Sequence, residues 1–174
     1  MRNIWQMVLF RPPANKKLRH ASKGVGIAKV LTPSEERRLL RVLAPRDREL
    51  VRFLLSTGAR ISEALGVRDI QPMDDHYAIR LLGKGNKVRT VYYKRPVDFT
   101  DRGSRTAITN RIRRASRRVL GRTLSAHCMR HTFATRMIAK GMSLPAVSRY
   151  LGHSSVAISG DLYVHDDLKW RDVR

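Results

Sequence analysis

The chain has 174 residues, 42% of them hydrophobic, and carries 36 Lys and Arg against 14 Asp and Glu, a formal charge of +22. That length suits one ordinary domain rather than two, and apolar residues recur along it too regularly for a disordered chain. A surface this positive repels itself unless a polyanion neutralises it. Nucleic acid fits best, because neutralising phosphates releases condensed counterions. An anionic membrane is disfavoured, since the cations are spread along the chain rather than gathered on one amphipathic helix. A thermophile's charged surface would mix Glu with Lys, and acids are scarce here. The single cysteine, Cys128, excludes an internal disulfide framework and a Cys-based zinc site, and it suits a reducing compartment. The apolar stretch Ile4–Phe10 is too short to cross a bilayer and lacks the cleavage site of a secretory signal.

Residues 1–30 are basic and irregular, with Pro12, Pro13, Lys16, Lys17 and Gly24, and read as an arm or linker. A domain spanning 31–165 follows, and 166–174 form a charged C-terminal tail. Thr32-Pro33-Ser34-Glu35 is a capping box with Pro at the first helical position. The helix it opens turns Leu39, Leu40, Val42 and Leu43 inward. A second helix is predicted from Arg46 to Thr57, closed by Gly58, and a third begins near Arg60. Tyr77–Leu82 and Val88–Tyr93 are β-rich runs flanking Gly83–Lys87, the pattern of a hairpin and the only good strand signal. A very basic helix spans Ser104–Leu120, another Ala126–Lys140, a third Leu144–Leu151, and a short one precedes Tyr163. The fold class expected is mainly α with a small antiparallel β-sheet.

Four clusters carry possible chemistry, and each has an ordinary reading on its own. Arg60 follows a helix break and would emerge at a helix N-terminus, where backbone N–H groups also favour anions; alone it is a surface charge paired with Glu63. Lys84 sits at the hairpin tip, where a cation can enter a groove; alone it is a solvated turn lysine. His127 and Arg130, three apart at a helix start, can pair a proton-transfer group with a phosphate ligand; alone they are a capping His and a surface Arg. His131 is placed facing away from that pair, as a structural residue. His153 and Tyr163 alone are a loop histidine and a half-buried tyrosine. No Asp/Glu cluster suggests two-metal chemistry, and no Gly-rich Walker loop suggests a nucleotide triphosphate.

The order Arg60, Lys84, His127-x-x-Arg130, His153, Tyr163 within one basic chain resembles the tyrosine recombinase (phage integrase) family. The matching stretches are TGARISEAL, GKGNKVRTVYY, AHCMRHTFATRMIAKG and VSRYLGHSS followed by LY, which together cover residues 32 to 165. The resemblance implies that family's catalytic-domain fold and a site-specific recombinase or integrase acting on double-stranded DNA. Tyr163 would attack a phosphodiester and form a 3′-phosphotyrosyl bond, which conserves bond energy and needs no ATP, metal or other cofactor. Arg60 and Arg130 would clamp the non-bridging oxygens, Lys84 would protonate the leaving 5′-oxygen, His127 would assist proton transfer at the tyrosine, and His153 would bond the scissile phosphate. Glu63 would support the Arg60 region, and Tyr150 would belong to the core. The resemblance further implies a homo-oligomer, a tetramer on two DNA sites. It places the protein on DNA in the cytoplasm, with no membrane partner, and suits a gene carried by a virus, phage or plasmid.

Two departures qualify the match. The spacing from His153 to Tyr163 is one residue longer than the common pattern, which would either shift the tyrosine helix or suit delivery to a neighbouring subunit. Family members also carry a separate N-terminal core-binding domain, for which 1–30 is too short. Two explanations stay open: an excised catalytic domain, or a minimal enzyme that relies on its basic surface. The rival functions are DNA relaxation like that of a type IB topoisomerase and a non-catalytic DNA-binding regulator.

Overall fold

The computed structural model describes residues 30–99 and 103–152, with only the backbone at Lys84. The expected N-terminal arm, the helix before Tyr163, the tail, and both His153 and Tyr163 lie outside the described residues. Six helices and three strands occur among those described. In chain order they are α1 (Pro33–Val42), α2 (Pro45–Thr57), α3 (Ile61–Leu65), β1 (Asp69–Pro72), β2 (Tyr77–Leu82), β3 (Val88–Tyr93), α4 (Arg105–Leu120), α5 (Ala126–Ala139) and α6 (Leu144–Leu151). The class is mainly helical with one small antiparallel sheet.

Local chemistry sets the element ends. The capping box at Thr32 is formed: Thr32 Oγ1 accepts from the Glu35 amide at 3.2 Å, and Glu35 Oε2 accepts from the Thr32 amide at 2.9 Å. The Glu35 carboxyl is held below its ordinary value, first by that backbone bond and then by Arg122. Ser104 and Ser143 cap α4 and α6 through their hydroxyls. Pro45 at the first turn extends α2 one residue beyond the expected Arg46.

The sheet holds a strand that the sequence pattern does not announce. β1 pairs antiparallel with β2, with Asp69 opposite Arg80 and Pro72 opposite Tyr77. Asp-Ile-Gln-Pro has neither β-branched alternation nor length. It is recruited by the tight connection to β2, closed by the Met73 amide donating to the His76 carbonyl at 2.9 Å. β2 and β3 form the expected hairpin, with Leu82 opposite Val88, turning through a 3-10 turn at Lys84–Asn86. Gly85 (φ 74°) and Asn86 (φ 56°) occupy the left-handed region that this turn needs.

α2 is the spine of the core. Leu50, Val51, Phe53 and Leu54 are fully buried, and α2 packs on α5 and β3. Phe53 meets Tyr93 edge-on at 5.3 Å and Phe99 at 5.1 Å. Acidic residues, though few, pin the basic elements together. Asp47 accepts two bonds from Arg111 at 2.7 and 2.8 Å, tying α2 to α4. Glu35 binds Arg122, and Glu36 binds Arg136. Among the described residues no helix is long and apolar enough to cross a membrane.

Candidate active site

The C-terminal ends of α2 and α6 converge on one buried cation. Arg130, on α5, is 3% exposed. It donates to the Gly58 carbonyl at 2.8 Å and to the Leu151 carbonyl at 2.5 Å. The last carbonyls of a helix have no partner within it and carry the negative end of its dipole. Two such ends therefore support a guanidinium that no carboxylate among the described residues bonds. Burial, and then the nearby Arg60 and Arg89, push Arg130 down from 12.5 to about 10, so it stays charged near neutral pH. The surface-arginine reading of this residue does not hold. Arg130 lies in the apolar stripe of α5, one position after Met129 and three before Phe133, both buried.

Gly58 makes this junction possible. It closes α2 at φ 63°, and a Cβ there would lie 2.5 Å from Leu151 Cδ2 and 2.6 Å from Phe133 Cδ1. Only glycine combines that backbone with that closeness.

A second pair of arginines is organised by one acid. Arg60 is the N-cap residue of α3, with its side chain 35% exposed. Glu63, 4% exposed, accepts from the Arg60 amide at 2.7 Å and from its guanidinium at 2.6 Å. Glu63 also accepts from Arg89 at 2.8 Å, and Arg89 Nε donates to the Tyr150 carbonyl at 3.0 Å. Burial is the main cause lowering the Arg89 pKa. Among the described residues Arg60 and Arg89 thus both bond Glu63, and Arg130 lies near enough to feel the charges of all three, a local surplus of positive charge. Such a surplus suits an anion with several oxygens.

The other expected residues fall as follows. Lys84 sits in the hairpin turn, its side chain outside the described residues. His127 is exposed near the start of α5. His131 does not face away from it: the two rings meet edge-on at 4.4 Å, because residues four apart share a helix face. Tyr150 is buried and stacks on Phe133 at 5.4 Å, and burial raises its hydroxyl pKa. A buried phenol with a raised pKa is a poor nucleophile. Among the described residues no three His, Cys, Asp or Glu side chains gather as a metal site would require.

Sequence reasoning missed Arg89. The signal is there: Arg89 alternates in phase with the buried Val91 and Tyr93 and pairs with the buried Leu81. An arginine on the inward face of a strand needs partners.

A different basic surface lies on the outer side of α4. Arg113, Arg114, Arg117 and Arg118 are exposed, and none has an ion-pair partner among the described residues. Arg113/Arg117 and Arg114/Arg118 are like-charge neighbours, each costing roughly 0.2–0.5 kcal/mol in a helix.

Residues 92–169 match the model of the phage integrase family. Tyrosine recombinase XerC of Pseudomonas aeruginosa (strain LESB58) is 32% identical over 152 residues, spanning 73% of this chain and 50% of that protein. Tyrosine recombinase XerC of Mycobacterium tuberculosis (strain ATCC 25177 / H37Ra) is 35% identical over 152 residues, spanning 71% and 50%. The chain therefore spans about half the length of the curated relatives it matches. The fold resembles that of the XerH site-specific recombinase bound to difH substrate, with TM-score 0.61 and 24% identity over 73% of this chain and 48% of that one. It also resembles the integrase of mycobacterium phage Brujita, with TM-score 0.53 and 22% identity over 75% and 50%.

Proposed function

The chain belongs to the tyrosine recombinase family, and we propose that it cleaves and rejoins double-stranded DNA at specific sites through a 3′-phosphotyrosyl intermediate on Tyr163. The observation that carries this reading is the pairing of Arg60 and Arg89 with Glu63 beside the buried Arg130. A phosphodiester gains negative charge on its non-bridging oxygens as a nucleophile adds. Preorganised guanidiniums stabilise that charge with little reorganisation at the moment of reaction.

In this mechanism the Tyr163 oxygen bonds to phosphorus and the bond from phosphorus to the 5′-oxygen breaks. Lys84, on its turn, delivers a proton to the departing oxygen, and His127 takes the proton from the tyrosine. Arg60 and Arg130 hold the two non-bridging oxygens, and His153 donates a further hydrogen bond to the phosphate. The free 5′-hydroxyl of a second strand then reverses the sequence, so no ATP or metal enters the balance. The arginines on the outer side of α4 are read as contacts to the duplex backbone. On DNA the protein works as a tetramer, as strand exchange between two sites requires.

The test uses nicked duplexes selected from a random pool by binding to this chain. A denaturation-resistant protein–DNA adduct is expected from the wild type and from Tyr150→Phe, and none from Tyr163→Phe. Supercoil relaxation without recombinant products would instead favour a topoisomerase. Tight binding with no adduct from any form would favour a DNA-binding regulator.

A further inference from the structure

Arg89 lies where three separate parts of the site meet. It stands on β3, five residues after Lys84 on the same hairpin. Its NH2 group binds Glu63, which in turn holds both the amide and the guanidinium of Arg60. Its Nε binds the carbonyl of Tyr150 in the last turn of α6, two residues before Gly152. Gly152 closes α6 at φ 67°, its amide bonded to the Arg149 carbonyl at 2.9 Å, and a Cβ there would lie 3.3 Å from Arg89 Cδ. The next residue in the chain is His153.

We propose that Arg89 is a positioning residue for the reaction: one guanidinium fixes the α6 terminal turn, the Arg60–Glu63 pair and the root of the Lys84 hairpin in a single register. The proposal rests on the recombinase reading. Two features of arginine make it suited to the task. Its planar fork directs separate N–H groups at two acceptors, which a lysine ammonium cannot reproduce at both positions. Its charge lies at the C-terminal end of α6, where the carbonyls lack helical partners. Arg89 need not touch the phosphate; it sets where the groups that do so stand.

The decisive variant is Arg89→Lys, which keeps the charge and loses the fork. Arg80→Lys is the control, on the same sheet and bonded to Asp69. Two readouts are needed: amide hydrogen exchange, and single-turnover adduct formation at saturating nicked duplex with affinity measured alongside. In Arg89→Lys, exchange at Gly152 is expected to rise about tenfold or more while Leu50, Phe53 and Leu54 keep wild-type protection. Adduct formation is expected to fall about 30-fold or more, with duplex affinity within about threefold of wild type. Arg80→Lys should move neither readout. The proposal is overturned if Arg89→Lys matches wild type at Gly152, or if protection falls equally across the core. If the wild type itself forms no adduct, the recombinase reading fails, and the exchange at Gly152 still decides whether Arg89 holds the turn.

Discussion

Two groups of arginines in this protein do opposite things with the same side chain. Arg60, Arg89 and Arg130 are wholly or partly buried, and each donates to named acceptors: Glu63, or the carbonyls of Gly58, Tyr150 and Leu151. Arg113, Arg114, Arg117 and Arg118 stand exposed on α4 with no ion-pair partner among the described residues. The first group has lost most of its rotamer freedom before any ligand arrives, so its charge is aimed. The second keeps its freedom and supplies long-range attraction, which salt screens. Arginine content alone says only that the chain suits a polyanion; the acceptors of each guanidinium separate orientation from affinity.

That contrast can be broken at several points. Under the proposed mechanism Arg130→Ala should give the largest effect, a loss of about 100- to 1,000-fold in single-turnover adduct formation, because it would remove one preorganised donor to the developing charge. Filter-binding affinity for duplex DNA should change far less. Gly58→Ala should come next. It strains a left-handed position and drives a methyl group against Leu151 and Phe133, so thermal unfolding should show a loss of about 1–3 kcal/mol. Adduct formation should fall with it, since the Gly58 carbonyl is an acceptor for Arg130.

Replacing Arg113, Arg114, Arg117 and Arg118 together by Gln should act on affinity. The slope of log affinity against log salt should become shallower by about 0.9 for each phosphate that is no longer neutralised. An unchanged slope would remove α4 from the DNA-binding surface.

The smallest effect concerns acid stability. The Glu35 carboxyl titrates below its ordinary value of 4.5 in the folded chain. A depressed carboxyl pKa contributes stability that is present above the unfolded value and lost as pH falls through the folded one. Glu35→Gln should therefore lower the melting temperature at neutral pH, and the gap to wild type should close as the pH falls below about 4.5, the ordinary carboxyl value.

The sequence pattern reaches much of this arrangement and misses it where tertiary contacts decide. The helix caps at Thr32, Ser104 and Gly58 and the hairpin around Gly85-Asn86 are local chemistry, and they are legible. β1 is not, because its pairing with β2, not its own composition, makes it a strand. The burial of Arg130 is not legible, since its supports come from α2 and α6, 72 and 21 residues away. Arg89 escapes because alternation locates the hairpin, while the acceptors that explain an inward arginine lie on α3 and α6. The meeting of His127 with His131 runs against the expectation that they face apart, although helical spacing alone is enough to bring them together.

The most direct test of the central claim is to identify the residue that becomes joined to DNA. The adduct formed on a nicked duplex would be trimmed with nuclease, digested with protease and sequenced by mass spectrometry. A nucleotide attached through phosphate to the peptide containing Tyr163, and to no other, is expected. Attachment at Tyr150 or another side chain, or the absence of any adduct from a protein that binds the duplex tightly, would contradict it.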